Sequence, residues 1–293
     1  MPSLDDLKKR IKSVKSTQKI TKAMKMVAAA KLKKAQENAE QGRPYSLRLE
    51  KIISNLTSSL ADKENAPKLL VGSGSDNVVL CVVMTSDKGL CGSFNSSICK
   101  KAKNFFKKIT NKGKEIKIIT VGSKGYDQLK REYGDKIIEK ISFKERKKIS
   151  FKEADEISKL ILNLFKEHKF DKCNIFFNNF KNVITQIPQN LQIIPADNKN
   201  ENIESTKDSN PYEFEPDQEE ILDEILPKNI STQIYRAFLE NAASEQGSRM
   251  TAMDNATRNA GDLVDKLTIN YNRSRQAAIT KELIEIISGA ESL

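Results

Sequence analysis

The fold is decided by the stretch Val78-Val79-Leu80-Cys81-Val82-Val83-Met84, a continuous apolar run that is rich in β-branched valine. Such a run predicts a strand that is buried on both faces, as in a parallel sheet. Outward from it, strand and helix patterns alternate. Helices are predicted over about 95–109, 124–133 and 152–167, and strands over 116–121, 137–141, 173–177 and 183–194. This alternation predicts an open α/β sheet with right-handed crossovers.

The N-terminal sequence predicts a long amphipathic helix over residues 3–60. An apolar heptad spacing runs from Leu4 to Val14, which is typical of a coiled-coil seam. Apolar residues then resume in a shifted register at Ile20, Met24 and Val27. We interpret this shift as a stutter, which would change the supercoiling locally.

A second long helix is predicted over residues 218–288. Gly42 and Pro44 in the first helix, and Pro227 in the second, predict weak points or kinks. Neither helix is apolar on all sides, so each needs a partner to cover its seam. We therefore expect a long antiparallel coiled coil, in which the N- and C-terminal helices pair as a shaft and a Rossmann-like open α/β domain is inserted between them.

The predicted division of the chain follows its composition and charge. The N-terminal coiled-coil helix covers residues 1–60, and the central α/β domain covers residues 76–195. An acidic polar loop follows over residues 196–217, and the C-terminal coiled-coil helix covers residues 218–293. The net charge is +11, and residues 1–60 alone carry 14 basic and 5 acidic residues. A basic helix of this kind indicates an anionic partner, which can be a nucleic acid, a membrane surface or an acidic protein surface.

The sequence offers little catalytic chemistry. The stretch from Thr85 to Gly92 follows the first strand, where α/β folds bind phosphates, but its spacing matches no phosphate-binding motif. We expect a tight strand-to-helix turn there, and a structural thiol at Cys91, because no histidine lies nearby. The one histidine, His168, is expected on the surface at a charged helix end. No signal-peptide core and no apolar run of transmembrane length is visible.

Several segments resemble the gamma subunit of F-type ATP synthases. The resemblance is carried by collinear stretches near both ends and in the middle of the chain, at residues 17–32, 86–95, 212–217, 243–253, 272–283 and 286–290. Among them are Lys22-Ala23-Met24-Lys25-Met26-Val27-Ala28-Ala29-Ala30 and Ser86-Asp87-Lys88-Gly89-Leu90-Cys91-Gly92.

The resemblance implies a rotor, without catalytic residue, metal or cofactor of its own, because ATP chemistry in this family takes place on the beta subunits. It implies one copy per complex, partnered by the alpha and beta subunits of the catalytic hexamer, the epsilon subunit and the membrane c-ring, and no nucleic acid. No mitochondrial presequence is visible, so we expect a peripheral protein on the cytoplasmic face of a bacterial inner membrane.

The resemblance also implies contact residues. Arg249, Gln276 and Thr280 match positions that contact a beta-subunit loop, Arg275 is adjacent to them, and Met24 matches a position near the same zone. A solvated or intrahelical pair is the alternative for Arg249, and packing in the coiled-coil seam is the alternative for Met24.

Tyr212 and Glu215 match the foot that meets the c-ring and epsilon, with ordinary loop residues as the alternative. Two other functions stay open from the residues alone. One is a nucleic-acid-binding helical protein, suggested by the basic N-terminal helix. The other is a nucleotide-dependent α/β enzyme, suggested by the sheet and by Gly89 and Gly92.

Overall fold

The computed structural model describes residues 3–59, 67–146, 150–196 and 218–291. The helices are α1 (Leu4–Ser59), α2 (Lys68–Val71), α3 (Phe94–Asn111), α4 (Ser123–Tyr133), α5 (Phe151–Lys166) and α6 (Gln218–Glu291). The strands are β1 (Val78–Met84), β2 (Glu115–Val121), β3 (Ile137–Ile141), β4 (Lys172–Phe180) and β5 (Gln186–Ile194). None of the described helices combines the length and the apolar character needed to cross a membrane.

The chain forms two compact units. One contains Met1–Ala30 with Arg249–Leu293, and the other contains Lys31–Ser248. The division of the sequence into four domains stays a prediction, and most of its acidic loop, from residue 197 to residue 217, lies outside the described residues.

The second unit is built on a five-stranded sheet in the order β3-β2-β1-β4-β5. Strands β1 to β4 pair in parallel, as the apolar run of β1 predicts, whereas β5 pairs antiparallel to β4. The last strand begins at Gln186 and not at residue 183. The reason is local, because the Asn182 side chain accepts hydrogen bonds from the backbone N–H groups of Ile184 and Thr185 and so forms a turn.

Helices cover both faces of this sheet. Helices α3 and α4 pack on one face, while α5 and part of α6 pack on the other. The α6 residues on the sheet are Ile230, Ile234, Ala237 and Phe238. Sequence reasoning assigned this apolar stripe to the coiled coil, since a helical period identifies the buried face but not its partner. The part of α6 before Arg249 therefore contributes to the core of the α/β unit.

The three residues that were predicted to weaken or kink the long helices all lie inside continuous helices. Helix α1 runs through Gly42 and Pro44, and α6 runs through Pro227. A Cβ atom at Gly42 would lie 3.0 Å from the Cδ1 atom of Leu239, so the glycine allows α6 to pass close to α1.

A capping box starts helix α5. The Glu153 carboxylate accepts hydrogen bonds from the backbone N–H and the hydroxyl of Ser150, at 2.7 and 2.5 Å, and pairs with Arg146 at 2.6 Å. The Ser150 hydrogen bond, followed by the Arg146 contact, outweighs the desolvation of the carboxylate and lowers the pKa of Glu153 to about 2.

Candidate functional site: paired helices and a filled crevice

In the first unit, α1 and α6 are joined by polar contacts. The hydroxyl oxygens of Thr21 and Thr257 lie 2.8 Å apart, in hydrogen-bond contact. The Lys25 ammonium pairs with the Asp254 carboxylate at 2.5 Å. Residue numbers rise on α1 as they fall on α6, so the helices pair antiparallel, as the sequence predicts.

The seam of α1 is an unbroken heptad. Its buried and half-buried positions are Leu4, Leu7, Ile11, Val14, Gln18, Thr21, Lys25 and Ala28. The predicted stutter is wrong, because Ile20 is 57% exposed and Val27 is 55% exposed. Polar Gln18 and Thr21 occupy the seam positions that a search for apolar residues passes over.

Met24 and Arg249 lie in the same part of the first unit. Both side chains are half-buried. The Lys25–Asp254 pair places Met24 within about 10 Å of Arg249 along the helix axis, at 1.5 Å per residue. This placement suits a common contact zone, and it equally suits seam packing for Met24, so the predicted role of neither residue is tested.

Arg275, Gln276 and Thr280 lie elsewhere on α6. All three are exposed, and the Thr280 hydroxyl donates to the Gln276 carbonyl at 3.0 Å. The spacing of four residues places Gln276 and Thr280 on one helix face. Arg249 lies roughly 40 Å away along the helix. The structure therefore does not gather the predicted contact residues into one cluster; they form two separate zones on one unit.

The end of α6 extends past the start of α1. Continuing the register of the Lys25–Asp254 pair places Leu4, the first residue of α1, level with about Arg275. All residues from 281 to 290 are exposed. We call residues 276–290 the α6 tip. Large apolar side chains of the tip remain exposed by half or more of their surface, namely Ile279, Leu283, Ile284, Ile286 and Ile287.

The predicted foot residues, Tyr212 and Glu215, lie outside the described residues. Their assignment to a c-ring and epsilon contact stays a prediction.

In the second unit, the crevice at the carboxyl ends of β1 and β4 is filled by α6. Strand order reverses between β1 and β4, and open α/β sheets bind ligands at such a switch point. Here the Asn241 amide donates to the Met84 carbonyl and accepts from the Asn178 N–H, each at 3.0 Å. The Ser244 and Ser248 hydroxyls donate to the backbone carbonyls of Asn178 and Cys91, at 3.1 and 2.7 Å.

An ion pair between the half-exposed Arg43 and the buried Glu240 extends this arrangement to α1. The Glu240 carboxylate accepts from the Phe180 N–H at 3.1 Å and from the Arg43 guanidinium at 2.8 Å. The hydrogen bond that Arg43 donates to Glu240 raises the pKa of Arg43, so the guanidinium stays charged. We call Arg43, Glu240, Asn241, Ser244 and Ser248 the polar clamp. Sequence reasoning missed it, although polar residues at helical spacing between Phe238 and Gly247 were the available signal.

The stretch after β1 forms a tight turn into α3 that side-chain hydrogen bonds hold in place. The Ser86 N–H donates to the Asn95 side chain at 2.9 Å, and the Asn95 amide lies 3.2 Å from the Cys91 sulfur. Cys91 is buried, like the other three cysteines, and His168 is exposed at the end of α5.

Comparison with known proteins agrees with this architecture. The family model for ATP synthase matches residues 3–293. The chain is 68% identical to the ATP synthase gamma chain of Pelagibacter ubique and 56% identical to that of Jannaschia sp., in both cases over 100% of both chains.

Solved structures agree as well. A chain of the central stalk and c-ring of the Tetrahymena thermophila mitochondrial ATP synthase is 27% identical, with a TM-score of 0.60, over 81% of this chain and 99% of that one. A chain of the Euglena gracilis mitochondrial enzyme shares the fold, with a TM-score of 0.67 at 19% identity, over 99% of this chain and 94% of that one. The chain therefore belongs to the ATP synthase gamma chain family, the non-catalytic central-stalk subunits of that enzyme.

Proposed function

We propose that this chain is the rotor of a bacterial ATP synthase. Proton flow turns the membrane c-ring and this chain with it, and the turning helices drive the catalytic beta subunits through successive conformations. Family membership favours this function over a nucleic-acid-binding protein and over a nucleotide-dependent enzyme. The filled crevice at the switch point is a second argument against the enzyme, since a substrate nucleotide would compete there with the polar clamp.

The observation that carries the proposal is the exposed α6 tip. Ile279 and Leu283 are each 55% exposed and Ile286 is 71% exposed. Their spacing of three and four residues aligns them as a stripe on one side of the helix. An isolated helix end with such a stripe gains stability only when a partner covers it. The alpha and beta subunits of the hexamer are the proposed partners.

Polar contacts would add to this apolar contact. Arg249 offers a planar guanidinium that suits a carboxylate on a beta-subunit loop. Arg275 and Gln276 are exposed and available for hydrogen bonds that break and re-form as the shaft turns. Exposed lysines and arginines on the first turns of α1 favour acidic partner surfaces.

The proposed contacts of Tyr212 and Glu215 rest on the resemblance alone. Tyr212 and Glu215 are proposed to meet the epsilon subunit and the c-ring. Such contacts would hold the chain at the cytoplasmic face of the inner membrane as a peripheral protein, with one copy in each complex.

Reconstitution with cognate alpha and beta subunits tests the proposal. The intact chain should yield a complex that contains one copy and hydrolyses ATP cooperatively. A tip variant with Ile279→Ser, Leu283→Ser and Ile286→Ser should assemble poorly, because it removes the apolar stripe. Variants Gln276→Ala with Thr280→Ala, and separately Arg249→Ala, should assemble but turn over more slowly.

The matched control is Asn270→Ala, an exposed position on the same helix that the resemblance does not assign. It should behave as the unmodified chain. If the tip variant assembles and turns over normally, the tip is not a contact surface. If no complex forms with a chain that circular dichroism shows to be helical, the rotor function itself is refuted.

A further inference from the structure

The α/β unit contains a cavity at the amino ends of β1 and β4, whereas the polar clamp lies at the carboxyl ends of these strands. Its volume is about 430 Å³, within the range of small-molecule sites. The end of α3 forms one wall with Phe105 and Ile109, and β4 and β5 form another with Asn174 and Leu191. The cavity is thus lined on one side by an aromatic ring and aliphatic groups.

The floor of this cavity carries a buried amide without a partner. Asn174 is 5% exposed, and its side chain makes no hydrogen bond to any other residue in the described parts of the chain. Its amide oxygen and N–H groups therefore remain available to a molecule in the cavity. Such a group at the bottom of a cavity is suited to a ligand that offers both a donor and an acceptor.

The rim of the cavity is cationic. Lys114 and Lys172 share the Oδ2 atom of Asp76, and the Lys172–Asp76 distance is 2.7 Å. Lys112 lines the same cavity and forms no ion pair with a described residue. Three lysines and one carboxylate therefore line the cavity, and the excess positive charge favours an anion.

A second unpaired atom points to hydroxyl recognition. The Oδ1 atom of Asp76 is buried and has no hydrogen-bond partner among the described residues. Oδ2 already accepts from both lysines, so Oδ1 remains as an acceptor for a ligand hydroxyl.

We propose that this cavity binds a nucleoside phosphate. The phosphate would lie against the lysine rim at Lys112, and a sugar hydroxyl would donate to Asp76. The base would rest on Phe105 and pair with the Asn174 amide, since an asparagine amide can bind two adjacent polar atoms of a base edge. This site would be a binding site only, separate from the switch point and without chemistry of its own.

Isothermal titration calorimetry on the full chain tests the proposal with AMP, ADP, ATP, pyrophosphate and phosphate. One nucleoside phosphate should bind with 1:1 stoichiometry, at least about tenfold tighter than pyrophosphate. Asn174→Leu keeps the volume but removes the amide, and it should weaken binding about tenfold or more. Lys112→Glu, an exposed position, should weaken it similarly without affecting folding.

The control is Lys101→Glu, an exposed lysine of α3 that does not line the cavity. It should change the affinity less than twofold. Photolabelling with an azidoadenine nucleotide should modify peptides that contain residues 105–114 or 172–192.

Three results would overturn the proposal. The first is no binding up to about 1 mM by a folded chain. The second is pyrophosphate binding as tight as that of any nucleotide, which would mean a simple anion site. The third is an equal effect of Lys101→Glu and Lys112→Glu, or labelling elsewhere, which would mean nonspecific attraction to a basic surface.

Discussion

Replacing Asn241 by leucine tests whether hydrogen bonds, and not apolar packing alone, fasten α6 to the sheet. The Asn241 amide donates to the Met84 carbonyl and accepts from the Asn178 N–H, each at 3.0 Å, and the residue is 6% exposed. Leucine has a similar volume but leaves both backbone groups buried without partners. Each such group costs about 1–3 kcal/mol, so we expect a loss of about 2–6 kcal/mol.

Hydrogen exchange followed by mass spectrometry measures this loss where it occurs. A loss of 2 kcal/mol raises the population of the open state about 30-fold. Amides of β4 should therefore exchange at least 30-fold faster in Asn241→Leu, provided that they exchange by local opening. Asn241→Asp places a buried carboxylate beside the Met84 carbonyl, so at neutral pH β4 should exchange at least as fast in this variant as in the leucine variant.

Asn163→Ala, at an exposed position on α5, is the matched control. Its effect should stay within about 0.5 kcal/mol. If β4 in Asn241→Leu exchanges at the unmodified rate while the chain keeps its helical circular dichroism, apolar packing suffices and the clamp has no mechanical importance.

Three further predictions test separate features of the fold. Gly122→Ala should destabilise the chain by more than about 2 kcal/mol in urea unfolding, because φ is +98° and the new Cβ would lie 2.2 Å from the Thr85 carbonyl oxygen; an unchanged midpoint would contradict this. The pKa of Glu153 is lowered to about 2 in the folded chain, so its stabilisation is present above about pH 4.5 and is lost as pH falls towards 2. The free energy of unfolding of Glu153→Gln, measured with urea, should consequently fall less with decreasing pH than that of the unmodified chain. An equal pH dependence in the two chains would refute this prediction. In the first unit, Lys25→Asp should destabilise the helix pair and Asp254→Lys should partly restore it, with a coupling of about 0.5–1 kcal/mol in a double-mutant cycle.

The secondary structure could be predicted where local signals are strong. The run from Val78 to Met84 has no polar residue, and its short length and β-branched valines favour a strand covered on both faces. The same pattern could not reveal that β5 pairs antiparallel, because two neighbouring strands of either orientation can show similar apolar patterns. The short α2 was missed because its four residues are too few for any period.

The pairing of the helices was harder to predict in detail. The heptad prediction considered apolar residues only. It therefore assigned Ile20 and Val27 to the seam, where the structure has Gln18 and Thr21. Thr21 has a hydrogen-bond partner in the seam because α6 offers a matching hydroxyl at Thr257. Such matching depends on a residue more than 200 positions away, and no local window contains it.

The two sites in the α/β unit could not be predicted for the same reason. Asp76, Phe105, Lys112 and Asn174 are scattered over a hundred positions and meet only after the sheet has formed. None of these residues belongs to a motif, and the sequence indicates only that Asn174 is a polar residue within an apolar strand. Its significance comes from burial without a partner, which is a property of the folded chain.

The way α6 is held in the α/β unit bears directly on torque. Ile234 and Phe238 pack in the sheet core, so rolling of the helix about its axis already costs their packing contacts. Asn241 and Glu240 bind backbone groups of β1 and β4 at defined distances, and rolling would break these bonds inside a buried region. Arg43 adds a charged contact from α1. In a rotor, these bonds would make the sheet turn with the helix.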